Sequence, residues 1–315
     1  MAGKTTDAEF CSRPRPRSIC AGHEAPPACA QRFTWFFLTA MTPSIIVLTD
    51  FFAVTNRALS YAAGLAVPLN AQLVLLHVRY DGMPVPEGYG GQHTLRGEQQ
   101  TDRALLQLAA DQTVPTEVDV AEGFLPEALT EAVRRHHPLF MVLGRHHDTI
   151  EAAELFTSVV MDLLRHAPHP LLVVPTTGWD AFPPRRLLLA VDGEPFAFAD
   201  QDHQEVLSRL LHATQATLDV VHVTDDAHAR LTDGAVLETV RANDLVSVFA
   251  ESRLHEVYSP SIVAGVLEEA ARQEADMLVL VARRHSLLGS LFHSSVTAQL
   301  IQESPIPVLV LPAQD

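Results

Sequence analysis

The sequence predicts two consecutive α/β domains of the same kind, each built on a five-stranded parallel sheet with helices on both faces. Two observations predict this fold. Short Val/Ile/Leu runs alternate with helical stretches, which is typical of parallel strands joined by right-handed crossovers. Four of these runs also recur in the same order about 140 residues later, which indicates an internal duplication. Each copy is therefore expected to be wound like half of a Rossmann-type sheet.

The duplication divides the chain. The matching pairs are IIVLTD (45–50) with LLLAVD (187–192), LVLLHV (73–78) with LDVVHV (218–223), FMVLGRHH (140–147) with MLVLVARRH (277–285), and HPLLVVP (169–175) with IPVLVLP (306–312). We predict a first domain over residues 43–175 and a second over 185–315. The segment TTGWDAFPP (176–184), with its glycine, tryptophan and prolines, is the predicted linker.

Hydrophobic periodicity places the individual elements. In the first copy we predict strands near 45–49, 72–78, 116–121, 139–144 and 171–174, and helices near 54–67, 97–112, 126–137 and 156–167. In the second copy we predict strands near 187–191, 217–223, 252–257, 277–282 and 307–311. The first helix shows the apolar stripe of a packed amphipathic helix, formed by Ala58, Leu59, Ala62, Ala63 and Ala66.

Composition narrows the class of partner. The 315-residue chain has a formal net charge of −16, which argues against nucleic acid and anionic membranes as partners, because both attract a basic surface. No apolar run reaches the roughly 20 residues of a membrane span. All three cysteines lie before residue 30, so the body of the chain has no disulfide framework, and we expect a reducing, cytoplasmic location. We expect residues 1–42, which lack periodicity, to be a disordered or non-native extension.

Ligands of parallel α/β sheets lie beyond the carboxyl ends of the strands, where strand order reverses. In this chain, Asp50 and Asp192 follow the first strand of each copy, and Val78 and Val223 end the second strand. The aspartates could equally cap the following helix or fix the turn, and the valines could belong to the core. The repeated His77 and His222 are expected to be structural, and no nucleophile motif is evident, so we do not expect an enzyme.

These residues resemble the universal stress protein family. The resemblance covers about 43–175 and 185–312. It rests on a first strand ending in Asp, LLHV on the second strand, a glycine after the fourth strand, a hydroxyl-bearing helix start, and the closing PLLVVP. It implies a pseudo-dimer within the chain, paired through the last strand of each copy; a dimer of chains stays open. Family members that bind ATP or another adenine nucleotide share a loop of the form G-x-x-G, nine residues, then G-[ST]. Bare glycines there let phosphate approach the backbone.

When that loop is aligned with the first copy, its three glycine positions are occupied by Gly144, His147 and Thr157. Its hydroxyl position is occupied by Ser158, which is followed by Val159. In the second copy we match the first two glycines to Ala282 and His285. The end of that loop falls on Ser294 and Ser295, after a stretch one residue shorter. Two of three glycines are missing from the first copy and all three from the second. We therefore predict degenerate nucleotide sites, the first being better preserved.

The resemblance implies a cytoplasmic stress-response or regulatory protein without catalytic activity, acting through protein partners that the sequence does not identify. The alternative is an ATP or adenine-nucleotide sensor that uses mainly the first domain. A third and weaker alternative is slow nucleotide hydrolysis.

Overall fold

The computed structural model describes residues 42–49, 53–79, 98–145, 150–176, 182–192, 197–198, 201–225, 253–283 and 295–314. Apart from Thr42, the predicted extension at 1–42 lies outside these residues. Residues 41–315 form one compact unit.

The predicted strands are present in both copies. The first copy contains β1 (Ser44–Leu48), α1 (Ala53–Leu69), β2 (Gln72–Arg79), α2 (Glu98–Ala110), β3 (Thr116–Glu122), α3 (Leu125–His136), β4 (Pro138–Arg145), α4 (Ile150–His166) and β5 (Leu171–Pro175). The second contains β6 (Arg186–Val191), β7 (Ala197–Phe198), α5 (Gln201–Thr214), β8 (Thr217–Thr224), β9 (Leu254–Tyr258), α6 (Ile262–Arg272), β10 (Met277–Arg283), α7 (Val296–Glu303) and β11 (Val308–Gln314). Two features differ from the prediction: α4 begins at Ile150 instead of near residue 156, and the two-residue strand β7 was not predicted.

The two copies share one continuous sheet. The strand order is β3-β2-β1-β4-β5-β11-β10-β6-β8-β9, with the short β7 beside β11. Neighbouring strands are parallel within each five-stranded half, and the halves meet where β5 pairs antiparallel with β11. This arrangement confirms the predicted pseudo-dimer formed through the closing strands.

A pseudo-twofold axis passes through the junction of the two halves, where β5 pairs with β11. Leu172 lies opposite Leu309, flanked by the pairs Val173–Val308 and Leu171–Val310. Leu172 and Leu309 also occupy the same place in the repeated segments LLVVP and VLVLP. Each central leucine is therefore paired with its own repeat counterpart, and both are almost fully buried.

Helices cover the sheet on both faces. Buried residues of α1 and α5 pack on one face, against Leu172, Leu309 and their neighbours. Buried residues of α3, α4, α6 and α7 pack on the other. Helix α1 contacts α5 and helix α4 contacts α7, so both helical layers continue across the junction between the copies.

Even the helix ends repeat. Among the described residues, the non-glycine positions with left-handed backbone are Asn70, His137, Gln215 and Glu274. Asn70 and Gln215 follow α1 and α5, and the next residue in each copy donates its amide back into the helix, Ala71 to the Ala66 carbonyl and Ala216 to that of Leu211. Such left-handed C-caps end helices by satisfying free carbonyl groups. The duplication thus extends to backbone conformation.

Candidate functional site

The carboxyl ends of the central strands define a crevice in each copy. Strand order reverses between β1 and β4, and correspondingly between β6 and β10. In parallel α/β sheets this is the position at which ligands bind. The crevice of the second copy is the better described of the two, because Asp50 and His147 of the first lie outside the described residues.

An ion pair crosses the second crevice. Arg283, the last residue of β10, donates from Nη2 to Oδ1 of Asp192 over 2.6 Å. The side chain of Asp192 is 60% exposed, whereas that of Arg283 is 10% exposed. Asp192 therefore lies at the carboxyl end of β6, and its carboxylate is paired with Arg283 of the neighbouring strand β10.

The repeated histidines hold adjacent strands together. Nδ1 of His77 lies 3.0 Å from the carbonyl oxygen of Thr49, and Nδ1 of His222 lies 3.1 Å from that of Val191. A carbonyl can only accept, so each ring must donate from Nδ1. The two contacts tie the second strand of each copy to the end of the first, as expected for a structural role.

The valines predicted to end the second strands lie one residue before the ends of β2 and β8 and contribute to packing. Val78 is half-buried against the core, and Val223 is buried. A Cβ added to Gly265 of α6 would lie 2.7 Å from Cγ1 of Val223 and 2.8 Å from Cβ of Ser259, so α6 lies directly against this strand end. The surface of Val223 that faces α6 is therefore closed to a ligand.

The predicted helix start in the first copy is wrong. Helix α4 begins at Ile150, so Thr157, Ser158 and Val159 lie inside it and not at its N-terminus. The hydroxyl of Thr157 is buried and donates to the carbonyl of Ala153 over 2.8 Å, Ser158 is exposed, and Val159 packs against the core. The cause is local, because the segment EAAEL (151–155) consists of strong helix formers.

In the second copy the matching helix starts later. Helix α7 begins at Val296, after Ser295, whose Oγ accepts the amide of Ala298 over 3.1 Å. Helices α4 and α7 end at corresponding positions, His166 and Glu303, so α4 is longer at its N-terminal end. Contrary to prediction, it is therefore the second copy that keeps a helix N-terminus at the hydroxyl position.

Strand register also corrects the alignment of the second loop. Gly144 lies beside Val174, and Arg145 beside Pro175. In the second copy, Val281 lies beside Leu311, and Ala282 beside Pro312. The counterpart of Gly144 is therefore Val281 and not Ala282.

Counted from Val281, the second loop position falls on Arg284 instead of His285, and nine residues then separate it from Ser294. The loop has the same length as in the first copy, so the predicted shortening is wrong. Arg284, His285 and Ser294 lie outside the described residues.

Arg145 is the important residue that the sequence analysis missed. It follows Gly144 directly, is 2% exposed, and donates from Nη1 and Nη2 to the carbonyls of Ile301 and Ser304 at the C-terminal end of α7. Burial lowers the pKa of Arg145 to about 10, which still leaves the guanidinium charged at neutral pH. A positive charge at a helix C-terminus interacts favourably with the helix dipole. Arg145 thus bonds the end of β4, in the first copy, to α7 of the second copy.

Fold and site together define a duplicated α/β protein with a crevice at the carboxyl ends of the central strands in each half. A family model described as "Universal stress protein family" matches residues 41–175 and again 184–312. The chain therefore belongs to the universal stress protein family, as a tandem two-domain member.

Two solved structures share the fold of this chain over most of its length. A universal stress protein from Archaeoglobus fulgidus superposes with a TM-score of 0.59 at 18% identity, covering 86% of this chain and 97% of the other. A putative universal stress protein from Pseudomonas aeruginosa gives 0.56 at 15% identity, covering 86% and 94%. A universal stress protein in complex with cAMP matches 44% of this chain and all of its own, at 22% identity and a TM-score of 0.32. The comparison with curated proteins gave no match.

The capping role of Ser295 can be tested by stability. We expect Ser295→Ala to lower the free energy of unfolding by about 1 kcal/mol, because Ala cannot accept the Ala298 amide. Its matched control is Ser158→Ala, at the corresponding position inside α4. That change should alter stability by less than about 0.5 kcal/mol, since Ser158 is exposed and Ala is the better helix former. Urea unfolding measures the loss of stability in both variants. Equal losses would contradict the different start positions of α4 and α7.

Proposed function

We propose that this chain is a non-catalytic, cytoplasmic stress-response regulator that acts by binding protein partners, and that its first copy does not bind a nucleotide. The observation that carries the proposal is the early start of α4. A phosphate at a helix N-terminus is held by amides that have no partner within the helix. Those free amides belong to the first turn, which in α4 follows Ile150 and not Thr157.

Within α4, the amides of Thr157 and Ser158 lie more than one turn from the helix start. They are therefore satisfied by carbonyls four residues earlier, as in any helix interior. The Thr157 hydroxyl is likewise bonded to Ala153. Thr157 and Ser158 thus have no free amide for a phosphate, and the threonine hydroxyl is already bonded.

The second copy supports a second candidate function, an adenine-nucleotide sensor. Ser295 caps the N-terminus of α7, and Asp192 follows the first strand of the copy, where the family has an aspartate. The ion pair between Arg283 and Asp192 opposes this function, because a ligand contacting the carboxylate would compete with the guanidinium. We therefore favour the partner-binding function.

Co-purified nucleotide separates the two functions. The full-length chain is heat-denatured and its supernatant assayed for adenine nucleotide; fresh protein is titrated calorimetrically with Mg-ATP and with cAMP. We expect no released nucleotide and no saturable heat. One equivalent of bound nucleotide per chain would contradict the proposal.

Two variants locate any binding that does appear. Asp192→Asn should weaken a site in the second copy, whereas Thr157→Val, which keeps the side-chain volume inside α4, should leave that site unchanged. The opposite result would place the site in the first copy. Release of inorganic phosphate that disappears in Asp192→Ala would instead indicate an enzyme.

A further inference from the structure

A groove lies along β3, at the edge of the sheet farthest from the second copy. It has a volume of about 690 Å³ and is bounded by α2 on one side and α3 on the other. Five carboxylates and two guanidinium groups line it. It is separate from the crevice at β1 and β4 described above.

The strand that forms the floor of the groove, β3, has backbone groups that no other described strand pairs with. Among the described strands, β3 pairs with β2 alone. The carbonyl of Pro115 accepts from Leu73, and the amide of Gly123 donates to Arg79, so these odd-numbered residues face β2. Backbone groups alternate in direction along a strand. Val118 and Val120 therefore direct their amide and carbonyl groups away from β2, toward any added strand.

Two of the carboxylates have no cationic partner within the described part of the chain. Asp102 pairs with Arg79 at 2.5 Å, and Asp119 pairs with Arg135 at 2.8 Å. By contrast, Glu122 and Glu127 are exposed and form no ion pair with any described residue. The groove therefore carries excess negative charge at the end of β3 and in the first turn of α3.

An aromatic side chain lies between these glutamates in the chain. Phe124 occupies the N-cap position of α3, is 50% exposed, and makes no side-chain cap. At the corresponding N-cap of α6, Ser261 accepts the amide of Ala264. A capping side chain contributes roughly 1 kcal/mol, so Phe124 occupies its position at the expense of stability. An exposed aromatic face beside carboxylates is a surface that attracts Lys or Arg.

We propose that this groove docks an extended, basic segment of a partner protein, which adds as a strand to β3 and places Lys or Arg side chains at Glu122, Phe124 and Glu127. Strand addition uses the outward backbone groups for affinity and the side chains for specificity. A second copy of this chain is a poor occupant, because the negative charge of its groove and its net charge of −16 would repel the acidic groove of the first. The inference rests on the proposal that the chain acts through protein partners.

The probe is a fluorescent seven-residue peptide that alternates Arg and Val, measured by anisotropy against the full-length chain at low salt. An alternating Glu/Val peptide is the charge control. A third peptide, with its central Val replaced by Pro, removes a backbone donor. We expect saturable binding of the basic peptide alone, weakened by added salt. Hydrogen exchange should show slowed amides in 116–122, because the added strand bonds to Val118 and Val120.

Charge-reversing variants locate the site. Glu122→Lys with Glu127→Lys should weaken binding about tenfold, since two attractions become repulsions. The matched control is Glu154→Lys with Glu268→Lys, two exposed glutamates on α4 and α6, which should change affinity less than twofold. Both double variants must show the wild-type circular dichroism spectrum and melting temperature.

The inference is overturned if the basic peptide shows no saturable binding, or if the acidic or the Pro-containing peptide binds equally well. It is also overturned if the control pair weakens binding equally, which would mean that the net charge of the chain attracts the peptide. Binding without slowed exchange in 116–122 would overturn it too, because it would mean a surface contact without strand addition. Nucleotide binding by the same protein would overturn the proposed function while leaving this result readable, because the groove variants lie outside both crevices.

Discussion

Arg145→Met is expected to lower the free energy of unfolding by about 2–4 kcal/mol. Methionine fills a similar length of space but donates no hydrogen bond. The carbonyls of Ile301 and Ser304 would then lose their donor in an environment from which water is excluded, since both residues are fully buried. An unsatisfied buried carbonyl costs about 1–3 kcal/mol. Urea unfolding followed by circular dichroism measures the loss.

The matched control is Arg134→Met on α3. Arg134 also forms an ion pair, with Glu131 at 2.5 Å, but its side chain is 76% exposed. An exposed pair of this kind contributes about 0.2–1 kcal/mol, so the control should cost less than 1 kcal/mol. Hydrogen exchange adds a local readout, because Arg145→Met should speed exchange in α7 and Arg134→Met should not. Equal losses in the two variants would show that Arg145 is not a cap of α7.

Arg145 also shows why part of the site could not be predicted. An arginine at the end of a strand ordinarily indicates an exposed residue. Its burial depends on α7, whose Ile301 lies 156 residues further along the chain. Nothing near Arg145 in the sequence indicates that contact, which arises when the two halves of the sheet join.

The strands were predictable because their signal is local. β1, β2 and β5 are continuous Val/Ile/Leu runs, as strands covered on both faces require. The pairing of β5 with β11 also followed, but from the family resemblance and not from the residues alone. Sequence reasoning therefore placed the scaffold, including its pseudo-twofold axis.

The loops after the fourth strands were predicted less well, for two physical reasons. Matching Thr157 and Ser158 to a family pattern gave less weight to the helix formers at 151–155, which extend α4 toward its N-terminus. Matching Gly144 to Ala282 relied on the similar letters that follow each residue. Backbone pairing determines the register instead, and it matches Gly144 to Val281.

The two copies have thus diverged where a ligand would bind while keeping the contacts that join them. α4 and α7 differ in length at the crevice end, yet end at corresponding positions and pack together across the junction. If the β5–β11 junction holds the fold together, shortening side chains at this junction should destabilise both copies at once.

Leu172→Ala and Leu309→Ala are each expected to lower the free energy of unfolding by about 3–4 kcal/mol, the cost of a cavity in a core that cannot collapse. Both side chains are almost fully buried and face each other across β5 and β11, on the face covered by α1 and α5. Directly opposed residues on adjacent antiparallel strands are in contact. The double variant should therefore cost less than the sum by at least about 0.5 kcal/mol, because the second truncation removes a contact already lost.

Leu73→Ala and Leu218→Ala form the matched cycle. They are repeat counterparts in β2 and β8, each with no exposed surface, so each single change should cost as much as Leu172→Ala. Six strands lie between β2 and β8, which at about 4.8 Å per strand separates the two leucines by more than 30 Å. Their costs should add within about 0.5 kcal/mol. Additive costs in the Leu172–Leu309 cycle as well would contradict a packed junction, because residues that do not touch cannot share the loss.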